Sequence, residues 1–248
     1  VVDLPPLVPG TLLARRKRFL ADVRLPDGEQ VVAWCPNPGR MTSCMGAGWP
    51  VWLSAAPPGR KLAWTWELTR DPAGATILVN ATRPNAVVAE ALGAGQVPAL
   101  AGYARLRREV KVGASRLDLS LEGHAGHPRT CFVEVKCVTL RVGPGLAAFP
   151  DAVTARGSRH LAELARLAGE GHRAVLFFAV GRDDVQAVRP ADEVDPVYGR
   201  ALRQAVAAGV EVHAWAMTLS LDPGGPAALG LDRALQVRLA APWHTAEG

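Results

Sequence analysis

No uninterrupted apolar run approaches the roughly 20 residues that a membrane-spanning helix needs. The opening Val-Val-Asp-Leu-Pro-Pro also lacks the charged-then-apolar order of a signal peptide. A cytoplasmic protein without a membrane partner is expected. Cysteine is scarce, and Cys35, Cys44, Cys131 and Cys137 form no C-x-x-C pair. That spacing argues against a structural zinc site and against a dense disulfide framework, so the four are expected as reduced, mostly packed thiols. Lysine is scarce for so basic a chain: of 28 basic residues only Lys17, Lys61, Lys111 and Lys136 are lysines. Internal repeats and low-complexity tracts are missing too, although the segment after Leu221 is rich in Gly, Pro and Ala and supports no element assignment.

What is present is a globular composition. The 248 residues, 49% of them hydrophobic, suit one large domain or two modest ones. A net charge of +5 and a pI near 9.4 favour a polyanionic partner, as nucleic acid would be, without singling one out. The first eighty residues read as short strands between turns: Arg18 to Leu25, Val31 to Cys35, Val51 to Leu53, Leu62 to Leu68 and Ile77 to Val79. Five strands suggest a small barrel. Trp34, Trp49, Trp52, Trp64 and Trp66 fall here, beside the run Arg15-Arg16-Lys17-Arg18. Aromatic and basic residues on a small barrel suit bases and phosphates. Trp64 and Trp66, however, share one face of an alternating strand and are better read as core.

From Pro84 the pattern changes. Asn85 to Leu92 is helical in composition, with proline at its start and Gly93 after it, which places a domain boundary near residue 82. Strands are predicted at Arg107 to Val112, Ser115 to Leu121 and Cys131 to Val138, then a helix at Ser158 to Ala168. Ala174 to Val180, continuously apolar, reads as a strand buried on both faces. A helix at Pro196 to Ala208 and a strand at Val210 to Met217 follow. The order is αβββαβ with an extra αβ, an α/β unit after a β unit.

If residues 124 to 127 turn a hairpin, Asp118 lies opposite Glu134, and the two-residue period sorts the side chains by face. Leu117, Leu119 and Leu121 then join Val133, Val135 and Cys137, while Asp118, Glu134 and Lys136 emerge on the other side with Arg116 and Phe132. Opposed carboxylates repel unless a cation lies between them, and a hard ion such as Mg²⁺ or Mn²⁺ takes oxygen ligands of this kind. A neighbouring lysine is able to orient or help deprotonate a water attacking a phosphodiester. An acid-x-base triplet alone means nothing, since about four are expected by chance in this length. Glu109-Val110-Lys111 repeats it, but lacks an aspartate one hairpin upstream. The bland reading of 118, 134 and 136 is a solvated cross-strand ion pair. Glu90, on the first helix, either faces the same site or lies on a helix surface. Arg156 and His160, four apart, are able to share a helix face and meet a phosphate, or are merely exposed. His124 and His127 belong to the hairpin loop, where their spacing gives little support to metal binding.

Four segments carry a resemblance: Lys17-Arg-Phe-Leu-Ala-Asp-Val, Cys35-Pro-Asn-Pro-Gly-Arg-Met-Thr, Glu134-Val-Lys-Cys-Val-Thr-Leu, and Phe149-Pro-Asp-Ala-Val-Thr-Ala-Arg-Gly-Ser-Arg-His-Leu. In order, from about Leu12 to Met217, they resemble the sugar fermentation stimulation protein A family. The resemblance implies an α+β/α/β chain: an oligonucleotide-binding-like (OB-fold-like) barrel over 1–82, then a PD-(D/E)xK nuclease-like αβββαβ domain over 83–248. It also implies DNA binding and a link to sugar (maltose) utilisation. Carried over residue by residue, Asp118 and Glu134 become metal ligands, Lys136 the catalytic lysine and Glu90 a helical carboxylate. Cys137 and Arg40 depart from residues common in the family. Two readings follow. One is a Mg²⁺- or Mn²⁺-dependent nuclease acting on DNA, or RNA; the other is a DNA-binding regulator that keeps the fold without the chemistry. Arg15, Arg16, Arg18, Arg156 and His160 are the expected DNA-binding residues. A helix-turn-helix at 201–217 is disfavoured because Val210 to Met217 alternates as a strand.

Overall fold

The computed structural model describes residues 1–113, 115–221 and 227–240. After β1 (Val2–Asp3), which crosses to the second module, one sheet holds β2 (Leu7–Arg16), β3 (Leu20–Arg24), β4 (Gln30–Trp34), β5 (Pro50–Ala55), β6 (Trp64–Arg70) and β7 (Thr76–Leu78). Its order is β4-β3-β2-β5-β6-β7, and a further β4–β6 pairing closes β2 to β6 into a five-stranded barrel. The strand count agrees with the sequence reading, but the membership differs. Leu7–Arg16 was not anticipated, and β7 lies outside the closed ring. β2 bends to pair with β5 through its first half and β3 through its second. Gly10 sits at that crossing, where a Cβ would stand 2.6 Å from Val23 Cγ1. Leu12, Val23, Val51, Leu53 and Trp66 fill the barrel, and Trp64 is only partly buried against them.

The second module begins with α1 (Pro84–Gly93) and continues through β8 (Arg105–Val112), β9 (Ser115–Glu122), β10 (Cys131–Val138), β11 (Leu140–Gly143), β12 (Gly145–Phe149), α2 (Ala155–Gly169), β13 (Arg173–Val180), β14 (Val185–Pro190), α3 (Pro196–Ala207), β15 (Glu211–Ser220), β16 (Ala228–Ala234) and β17 (Gln236–Val237). Seven strands run in the order β1-β16-β15-β13-β10-β9-β8, and β11-β12-β14-β17 form a smaller sheet. Of the segment after Leu221, β16 completes the large sheet, while 222–226 and 241–248 lie outside the described residues.

β13 shows why the large sheet has two cores. Its apolar run Ala174–Val180 sends Leu176, Phe178 and Val180 into a cluster beneath α2 and α3, and Val175, Phe177 and Ala179 into one beneath α1. Each fully buried leucine or phenylalanine contributes about 1.5–3 kcal/mol. α2 lies against β13 and β9, and its start is fixed by caps. Thr154 accepts from Gly157 N–H, and the Asp195 carboxylate accepts from both Thr154 N–H and Tyr198 N–H, joining the starts of α2 and α3.

The barrel and the second module are tied by buried polar bonds. Arg182, fully buried, donates to the carbonyls of Ser43 and Thr139 and pairs with Asp71 and Asp184. Leu78 N–H donates to Gly181 carbonyl at 2.9 Å. The four cysteines are free thiols, three buried and Cys137 half-buried. No helix among the described residues is long and apolar enough to cross a membrane.

Candidate functional site

The antiparallel ladder between β9 and β10 pairs Cys131 with Leu121, Phe132 with Ser120 and Val133 with Leu119, then stops. One step further the register would set Asp118 against Glu134. There the ladder gives way to a side chain: Asp118 Oδ2 accepts from Val135 N–H at 2.8 Å, and Oδ1 accepts from Asn85 Nδ2 on α1 at 2.6 Å. On the other flank, Glu109 faces Asp118 in the β8–β9 register and has φ 55°. A left-handed non-glycine residue interrupts the pleat, and the faces change hands across it. Leu119 and Leu121 join the cluster beneath α1, whereas Leu117 joins the one beneath α2. The expected grouping of Leu117 with Leu119 and Leu121 is therefore incorrect.

Glu134 points toward α2. His160 Nδ1 and Lys136 Nζ both donate to its Oε1, the lysine at 2.5 Å. Arg156 Nε donates to His160 Nε2 at 3.4 Å. With Arg156 donating to Nε2, Nδ1 is the ring nitrogen that donates to Glu134. Burial pushes the Glu134 carboxyl upward, but the bonds from His160 and Lys136 outweigh it and hold it below its ordinary value. Its Oε2 is buried and has no partner among the described residues. The Tyr198 hydroxyl, from α3, is likewise buried and unpartnered, and burial together with the Glu134 charge pushes it up. Asp118 is pushed up to about 6, first by burial and then by the charge of Glu134.

These contacts relocate several expected site residues. Glu90 does not join the group: five positions beyond Asn85 it points elsewhere on α1 and pairs with the Val1 amino group. Asn85, which the sequence did not single out, occupies the position instead. His160 is not a surface phosphate contact, being 6% exposed and turned onto Glu134. Arg15 donates to the carbonyls of Arg18, Asn37, Gly39 and Arg40, and Arg16 is bidentate on Asp22. Arg156 and Arg18 are exposed. His124 and His127 bridge across the hairpin, and the His124 ring makes tilted contacts with Tyr103 and His127.

Lys136 also faces a cavity of about 200 Å³ between the two modules, walled by Asn37, Pro38 and Gly39 from the barrel and by Phe149 and Asp151. Here two of the sequence segments meet. Met41 N–H donates to Asp151 Oδ2 at 3.1 Å, and Gly39 lies so close that a Cβ would overlap the Asp151 carboxylate. Among the described residues no three His, Cys, Asp or Glu side chains are grouped to hold a metal. An orphaned buried carboxylate oxygen beside a second carboxylate nevertheless fits a hard ion such as Mg²⁺, which is commonly held by one or two carboxylates with water and substrate oxygens.

Comparison with known proteins places the chain. Residues 13–79 match the SfsA N-terminal OB domain, and residues 82–223 match the sugar fermentation stimulation protein RE domain. A sugar fermentation stimulation protein homolog of Pseudomonas paraeruginosa is 51% identical over 239 residues, covering 95% of this chain and 98% of that one. The homolog of Thioalkalivibrio sulfidiphilus is 51% identical over 238 residues, covering 95% and 97%. A solved structure, described as Pyrococcus furiosus SfsA in complex with Ca²⁺, superposes with a TM-score of 0.84 at 28% identity over 95% of this chain and 97% of that one. With an OB barrel, the matching second domain and relatives that run nearly end to end, the chain belongs to the sugar fermentation stimulation protein family.

Proposed function

We propose that the chain binds nucleic acid and hydrolyses its phosphodiester bonds at a PD-(D/E)xK-type site built from Asp118, Glu134 and Lys136, with Mg²⁺ or Mn²⁺ as cofactor and DNA as the first candidate substrate. The observation that carries this reading is the divided Glu134 carboxylate, one oxygen held by His160 and Lys136 and the other buried with no partner. The Ca²⁺ of the solved relative supports a divalent ion, and the basic charge supports a polyanion.

Glu134 Oε2 and the Asp118 carboxylate are the oxygens that would hold the ion. When bound, it supplies positive charge to the phosphate and acidifies a water. Asn85 and Val135 N–H fix the Asp118 carboxylate in place. His160 holds Glu134, and Arg156 behind it keeps the ring in one tautomer. Lys136, at the cavity wall, presents an ammonium to a phosphate oxygen or to the attacking water.

A second reading, a DNA-binding regulator of sugar utilisation that performs no hydrolysis, is favoured by the absence of a third grouped ligand among the described residues and by the position of Glu90. One assay separates them. Purified protein is incubated with plasmid, linear and single-stranded DNA plus Mg²⁺ or Mn²⁺, alongside Asp118→Asn. Metal-dependent cleavage lost in the variant supports the nuclease. Sequence-selective binding without cleavage supports the regulator.

A further inference from the structure

The cavity at Lys136 adjoins a larger one, and the two are the inner and outer parts of a cleft. Its outer part, about 580 Å³, is walled by Arg15, Arg18 and Arg40 of the barrel and by residues 149–154 of the second module. The two parts share Pro38, Gly39, Phe149 and Asp151 and so lie side by side, the inner one bordered by Lys136. Asp151 is the one carboxylate among the lining residues, and its Oδ2 is engaged by Met41 N–H.

The backbone is bent to build this mouth. Among the described residues four non-glycine residues have positive φ, and three of them, Lys17 at 48°, Arg18 at 64° and Met41 at 58°, lie on the two barrel segments that flank it. Such residues persist where the surroundings over-determine them, and they gather at ligand sites. Arg15 is the clamp, its guanidinium holding the carbonyl of Arg18 on one segment and those of Asn37, Gly39 and Arg40 on the other. The result is two exposed arginines, Arg18 and Arg40, whose guanidinium groups have no partner among the described residues. Phe149 lines both stretches, braced by Tyr198 and Phe178 with ring centroids at 5.2 and 5.7 Å, and offers a flat apolar surface.

We infer that this cleft takes a single nucleic-acid strand, which enters across Arg18 and Arg40, rests a base against Phe149 and brings a phosphate to Lys136. This rests on reading the site as a phosphodiester site and names its substrate as single-stranded. The size of the two parts favours an unpaired strand. At about 200 and 580 Å³ they suit one or two nucleotides, since pockets of roughly 300–1,000 Å³ hold one drug-sized ligand. Cations along a groove with an aromatic platform are how unpaired strands are held without sequence preference.

The test is fluorescence anisotropy in EDTA with a labelled 12-nucleotide DNA strand, an RNA strand of the same sequence and the corresponding DNA duplex. The full chain is compared with the Arg18→Ala, Arg40→Ala double variant, whose melting temperature should match the parent because neither side chain has a partner to lose. The parent is expected to bind at least one single strand about tenfold more tightly than the duplex, the tighter strand naming the substrate. The double variant should lose about tenfold on that strand alone, with the slope of log K against log salt falling by about 0.7 for each contact removed. Duplex binding equal to single-strand binding, or single-strand binding unchanged in the double variant, overturns the inference. Because no divalent ion is present, failure of hydrolysis leaves this result untouched, and the reverse holds.

Discussion

His160 donates from Nδ1 to Oε1 of Glu134, and the other oxygen of that carboxylate is left buried without a partner. The ring decides which oxygen remains available for a cation. Groups that orient a metal ligand from behind typically contribute 10–100-fold in affinity. His160→Ala is therefore expected to weaken Mn²⁺ binding about 10–100-fold by titration calorimetry, while Glu90→Gln changes it little. Equal affinity for parent and His160→Ala would remove His160 from the site.

Asp118 gives a pH dependence whose sign follows from its environment. Its carboxyl is raised from 3.8 to about 6, chiefly by burial and then by Glu134. The folded chain thus holds this proton more tightly than the unfolded one, and stability falls as pH rises from about 4 to 6 and then stays low. Each pKa unit corresponds to about 1.4 kcal/mol, so the penalty at neutral pH is at most about 3 kcal/mol. Asp118→Asn, in EDTA, should melt above the parent at pH 7.5, with the gap narrowing by pH 4.5. A lower melting point for the variant at pH 7.5, or a gap independent of pH, would contradict the placement of this carboxylate.

Lys136 touches both the carboxylate and the cavity. If its ammonium meets the reacting phosphate or water, Lys136→Ala should retain the fold and cut hydrolysis about 10²–10⁴-fold, the usual contribution of a positioned acid or base. The measurement is single-turnover cleavage at saturating Mn²⁺. Undiminished turnover would confine Lys136 to neutralising Glu134.

The parts of the fold that were legible in the sequence are those where burial dictates composition. Ala174–Val180 has to be apolar on both faces, and α2 carries Leu161, Leu164 and Leu167 at helical spacing because one face is covered. β2 escaped notice because Pro9, Gly10 and the paired arginines mask its alternation, although Gly10 is there for a crossing that only the closed barrel creates. Asp118, Glu134 and Lys136 could be brought together by hairpin register, but the change of face at Leu117 could not, since it breaks the two-residue period on which a register argument relies. The choice for Glu90 between site and helix surface stayed open, and Asn85 went unnoticed, because α1 buries Val87, Val88, Ala89, Ala91 and Leu92, nearly all round, leaving no amphipathic pattern to show which polar residue turns toward Asp118. His160 reads as a surface histidine until α2 is laid on the sheet and the ring meets Glu134.

The four basic residues from Arg15 to Arg18 look equivalent in sequence, and the structure divides their work. Arg15 donates to the four carbonyls of Arg18, Asn37, Gly39 and Arg40 at 2.7 to 3.2 Å, and hydrogen bonds from a charged donor contribute about 1.5–3 kcal/mol where the acceptors are otherwise shielded. Arg16 makes an exposed bidentate pair with Asp22, a class of contact that salt screens and that seldom registers in stability. Arg15→Met should therefore destabilise the protein by about 2–3 kcal/mol, about 4–12 °C in melting temperature for a chain of this size, while Arg16→Ala leaves the midpoint unchanged within error. Replacing the whole run at once would mix loss of fold with loss of binding, so the two variants need to be measured singly, by denaturant titration before any binding assay. If Arg15→Met proved as stable as the parent, the clamp across the cleft mouth would be absent in solution.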